Sequence, residues 1–136
     1  MSALEQARRL LRMARKDLKA MNALAAPDAY EPETFGFHAQ QAVEKTLKAW
    51  LAFRNVSYAP THNLRYLLDA LQQSGCDVSD LWRLLELGPF AVQFRYEAYD
   101  SLELELDTNT IREHVVSLIN QVEALLLQAE NDKGTC

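Results

Sequence analysis

The sequence predicts an all-α protein, an up-and-down bundle of four to five helices. Two observations carry that prediction. Apolar residues recur at spacings of three and four in successive segments, which marks one face of a helix. The stretches between those segments hold the proline and glycine stops at which helices end. A chain of 136 residues is expected to form one domain over 1–130, with 131–136 as a disordered tail.

In the first segment Leu4, Ala7, Leu11, Ala14, Leu18 and Met21 make the stripe, and the opposite side carries Arg8, Arg9, Arg12, Arg15, Lys16 and Lys19. The spacing predicts a helix from Ser2 to Ala25, stopping before Pro27. After the connection Asp28 to Glu31, Pro32 suits a first helical turn, and the second helix runs to Arg54. Val56 to Thr61 reads as a loop. Leu64, Leu67, Leu68 and Leu71 mark a short third helix closed at Ser74-Gly75. Leu81, Leu84, Leu85 and Leu87 start a fourth, which Gly88-Pro89 is expected to interrupt. A helical segment then resumes from Phe90 to Tyr96.

Tyr99 to Asn109 alternates Leu102, Leu104 and Leu106 with Glu103, Glu105 and Asp107, a period-two pattern. With no second strand to pair with, it reads as an acidic loop. Thr110 and Glu113 are spaced as a capping box for the last helix, whose stripe is Ile111, Val115, Leu118, Val122, Leu125 and Ala129.

The formal net charge of −5 argues against a surface that coats nucleic acid non-specifically, although the first helix offers a local basic patch. Cys76 and Cys136 match no metal or CxxC spacing and are expected as reduced thiols of a cytoplasmic protein. No run of eighteen apolar residues exists, so no membrane span is expected. Three scattered histidines and no glycine-rich phosphate loop point to neither a metal nor a cofactor.

The second helix is the unusual one. His38, Gln41 and Lys45 share a face, and Gln40 and Glu44 lie on a neighbouring line. Half-buried polar groups cost stability unless paired, so this helix points to a site or an interface. Gln40 and Glu44 are read as a structural polar network. Lys45 is expected either to bind an anion or to pair with Glu44 or Gln41.

On the stretch FHAQQAVEKTLKAWL from Phe37 to Leu51, with THNLRYLLDAL after it and FRYEAYD at the end of the fourth helix, the chain resembles the HEPN family. That family is named for higher eukaryotes and prokaryotes and for nucleotide binding. The resemblance implies a bundle similar to the helical domain of kanamycin nucleotidyltransferase, often a homodimer. It also implies a small nucleotidyltransferase partner in a toxin–antitoxin-like pair. Active members of the family are metal-independent ribonucleases. Their signature is an arginine followed, after four to six residues, by a histidine. Here Arg95 stands at the arginine position, but Asp100, Ser101 and Leu102 stand where the histidine would fall.

Metal-free RNA cleavage needs a base, an acid and a cation at the phosphate. Histidine and arginine suit those roles. The candidates for nucleotide or RNA binding are therefore His38, Gln41, Lys45, His62, Arg95 and Tyr96, with no catalytic residue assigned. The expected function is a non-catalytic nucleotide- or RNA-binding and interaction module. The alternative is a ribonuclease toxin in which His38 or His62 meets Arg95 in space. A third reading is a scaffold that holds a partner and no small ligand.

Overall fold

The computed structural model describes residues 2–95 and 106–129, with the backbone alone for 92–95. Four α-helices and one 3₁₀ helix are found among them: α1 (Ala3–Leu24), α2 (Pro32–Phe53), α3 (Leu64–Gln73), the 3₁₀ helix Trp82–Arg95, and α4 (Thr108–Ala129). No strand occurs among the described residues. The protein is all-helical, as its periodicity predicts.

α2 is the centre of the bundle, packed against α1, α3, α4 and the 3₁₀ helix. Thirteen of its 22 residues are buried, so its apolar surface goes round the cylinder rather than along one stripe. Phe35, Val43, Leu47, Trp50 and Leu51 are each at most 1% exposed. Around them close Ala7, Leu11, Ala14 and Met21 of α1, the four leucines of α3, and Val115, Leu118, Ile119 and Val122 of α4.

The helix ends have local causes. Ser2 caps α1 in a reciprocal box with Glu5, which the S-x-x-E spacing signals. α3 closes at Gly75, whose φ of 102° lets Cys76 N–H reach back to the Leu71 carbonyl. Asn55, at φ 59°, ends α2 in the same way, with Val56 N–H on the Leu51 carbonyl. Arg54 ties the two ends together by donating from Nε to Ser74 Oγ at 3.1 Å.

Two expectations about boundaries are corrected. α4 begins at Thr108, and its cap is Asp107 rather than Thr110. The Asp107 carboxylate accepts from Thr110 N–H at 3.0 Å and from the Thr110 hydroxyl at 2.7 Å. An aspartate at the N-cap meets the positive helix end more strongly than a threonine does. The rest of the expected acidic loop, through residue 105, lies outside the described residues.

The second correction concerns Gly88-Pro89. The helix is not interrupted there; it runs through Pro89 as a 3₁₀ helix. Leu84, Leu87 and Phe90 are each no more than 3% exposed, while Arg83, Glu86 and Pro89 face solvent. That is a period of three, which matches the 3.0 residues per turn of a 3₁₀ helix. Pro89 lies on the solvent row, where its ring displaces no core residue.

Phe90 explains Gly36. A Cβ at Gly36 would stand 2.5–2.6 Å from the Phe90 ring, far inside van der Waals contact. The ring therefore occupies the space that a side chain on α2 would need. Gly36→Ala is expected to destabilise the fold by about 1–3 kcal/mol through overpacking. Thermal or urea unfolding would measure it, and an unchanged midpoint would show that Phe90 can move aside freely.

Cys76 is 3% exposed and disulfide-bonded, which corrects the expectation of a reduced thiol at that position. Cys136 lies outside the described residues.

Candidate functional site

The polar side chains of α2 gather around two carboxylates. The first is Asp17 of α1, only 8% exposed. His38 Nδ1 lies 2.9 Å from its Oδ1, and Lys45 Nζ donates to its Oδ2 at 2.6 Å. His38 and Lys45 are two turns apart on one face, so a single acceptor on the neighbouring helix can lie between them. Lys45 thus pairs with α1, and not with Glu44 or Gln41 as expected. Sequence reasoning missed Asp17, although it stands between Ala14 and Met21 on an otherwise apolar stripe.

The second carboxylate is Glu44, 3% exposed. Gln40 Nε2 donates to its Oε1 at 3.0 Å, and Lys48 Nζ to its Oε2 at 2.8 Å. Gln41 Nε2 donates to Gln40 Oε1 at 2.7 Å and approaches Glu44 Oε1 at 3.3 Å. From the loop before α3, His62 Nδ1 lies 3.1 Å from Oε1 and 3.2 Å from Oε2. Gln40 Nε2 also reaches the His62 carbonyl at 3.3 Å, which fixes the loop from a second direction.

Burial pushes the Glu44 carboxyl upward, but hydrogen bonds from Lys48, Gln40 and His62 outweigh it and hold the group below its ordinary value. The Tyr58 hydroxyl is pushed up by burial and by the Glu44 charge. Lys48, one turn beyond Glu44, is a partner that sequence reasoning passed over, though the i, i+4 spacing announces it.

The candidates therefore fall into two groups. His38 and Lys45 close on Asp17; Gln41 and His62 close on Glu44. The Arg95 side chain and Tyr96 lie outside the described residues. His62 is the exposed member, with 67% of its side chain open to solvent. Its Nδ1 is committed to the carboxylate, which leaves Nε2 as the nitrogen that can act on a ligand.

The basic side of α1 borders a shallow groove against α4, lined by Arg8, Arg12 and Arg15 over Leu11 and Leu126. Arg15 is paired with Glu123 across it. Among the described residues no group of three or more His, Cys, Asp or Glu is placed to hold a metal.

These elements fall within one family pattern. The family model described as HEPN domain matches residues 7–131, from the second turn of α1 past the end of α4. The chain is a member of the HEPN family. No curated protein and no solved structure matched it. HEPN domains are nucleotide- and RNA-binding modules, and this one keeps their helical bundle. The polar α2 stretch of the HEPN resemblance supplies Glu44 and both partners of Asp17. No helix among the described residues is long and apolar enough to cross a membrane.

Proposed function

We propose that this HEPN domain is a nucleotide- or RNA-binding and interaction module without catalytic activity, working as a homodimer. Its partner in this reading is a small nucleotidyltransferase in a toxin–antitoxin-like pair. One observation carries the non-catalytic part: His38 and Lys45 are both closed on the buried carboxylate of Asp17. A cation so neutralised has little left for a phosphate, and His38, with 28% of its side chain open to solvent against 67% for His62, offers a ligand little of its imidazole. No histidine follows Arg95 at the spacing of the ribonuclease signature, which supports the same reading.

Calorimetric titration with nucleoside mono- and triphosphates is expected to show binding. RNA incubated with the purified protein without metal, at about pH 6 to 8 where imidazole titrates, is expected to stay intact. Failure of every nucleotide and of RNA to bind overturns the binding reading.

One observation favours the ribonuclease as a second reading. The Glu44–His62 pair has the form of an oriented base, a buried carboxylate holding one nitrogen of an exposed imidazole. Metal-independent cleavage abolished by both His62→Ala and Arg95→Ala would establish it in place of the first.

A further inference from the structure

α1 and α4 lie side by side and antiparallel, since Arg15 of α1 meets Glu123 of α4 and Arg112 of α4 donates to Asn22 of α1 at 2.9 Å. Between them, toward the start of α1 and the end of α4, runs a groove with a volume of about 240 Å³. Leu11 and Leu126, 5% and 3% exposed, form its floor. Leu127 stands on its rim with 58% exposure, the highest of any large apolar side chain among the described residues. An exposed leucine alone is ordinary. This one borders a concave apolar floor and a row of cations.

The row is Arg8, Arg12 and Arg15, at i, i+4 and i+7 on one face of α1, and Lys19 continues it. Arg15 already holds a carboxylate, that of Glu123. Arg12, one turn before it, is exposed and has no ion pair among the described residues. Cations and an apolar floor thus share one trough in a chain whose formal net charge is −5.

We propose that this groove docks an acidic amphipathic helix of a partner protein, its leucines on the Leu11–Leu126 floor against Leu127 and its carboxylates at Arg12 and Lys19. Two neighbouring helices form a trough that a third fills by laying its apolar stripe between them. A guanidinium fork pairs with a carboxylate through two parallel hydrogen bonds. Phosphate suits the same fork, but no aromatic side chain lines the groove to stack a base, and the leucine floor offers a phosphate backbone no partner. A bilayer needs an apolar face that projects into it, whereas Leu11 and Leu126 lie at the bottom of a concavity. The groove shares no residue with the Asp17 and Glu44 clusters, so this docking goes beyond nucleotide binding and does not depend on it.

The probe is a labelled synthetic helical peptide with leucines at i, i+3, i+4 and i+7 and glutamates on both sides of them. The full chain is titrated into it and binding is read by fluorescence anisotropy. Arg12→Glu and Leu127→Glu are each expected to weaken binding about tenfold, the first by setting like charges together, the second by leaving an apolar contact unmade. Arg65→Glu, the same charge change at an exposed position of α3, should leave the affinity unchanged. A peptide with lysines in place of the glutamates should bind Arg12→Glu more tightly than the parent, which also shows that the variant is folded. Nucleotide titration of Arg12→Glu is expected to match the parent's, so the two readings fail separately. No binding of the acidic peptide, or binding indifferent to Arg12→Glu and Leu127→Glu, overturns the docking surface. Mixed-sequence RNA or vesicles of anionic phospholipid that bind more tightly than the peptide, and lose affinity in Arg12→Glu, also overturn it and assign the groove to nucleic acid or membrane.

Discussion

Val122→Asp is expected to abolish folding. Val122 is fully buried on α4, beside Leu118 at 1%, Ile119 at 0% and Leu126 at 3% exposure. No lysine or arginine is among the buried residues described. An unpaired carboxylate there faces a desolvation cost comparable to the about 5–15 kcal/mol that holds a whole domain together. Far-ultraviolet circular dichroism and gel filtration should show an unfolded or aggregated chain. A monodisperse helical variant with a cooperative melt near the parent's would mean that α4 is not part of the core. The same outcome is expected of Leu118→Asp.

Glu44→Ala should cost about 3 kcal/mol, the low end for breaking a buried ion pair. The cost is moderated because Lys48 and His62 can turn toward water. For a domain of this size that is a fall in Tm of roughly 10 °C. Part of the loss falls on Gln40, which is wholly buried and would lose its bond to Glu44, keeping only the longer one to the His62 carbonyl for its amide donors. An unchanged Tm would refute the network. Glu44 also sets a pH dependence. Its carboxyl is held below 4.5 in the folded state, so its contribution is complete above about that pH. The contribution is lost as pH falls through the folded value. Glu44→Gln should therefore be less stable than the parent at neutral pH and show a flatter decline of Tm in acid. Nucleotide binding in Glu44→Gln, at temperatures where it is folded, is expected to change little.

The helices were legible because each buries a face. Leu4 to Met21 of α1 and Ile111 to Ala129 of α4 repeat at the period of the structure they adopt, and the Gly75 stop of α3 follows from its tolerance of positive φ. The 3₁₀ helix was harder to read. Leu84 and Leu85 are adjacent, which suggests a 3.6-residue period, yet the buried row is Leu84, Leu87 and Phe90 at a period of three. Gly36 carried no visible signal, because its reason is a ring more than fifty positions away. The polar residues of α2 could be recognised as unusual from their spacing. Their partners could not be assigned, since Lys45 had Glu44 and Gln41 at hand and took Asp17 instead.

What the sequence by itself determined is the helical bundle and the HEPN family, because periodicity, caps and a contiguous motif are properties of neighbouring residues. Only the tertiary structure decided which carboxylate each cation meets. Those pairings join helices far apart along the chain, and their outcome depends on how α1, α2 and α4 pack, which no local spacing encodes.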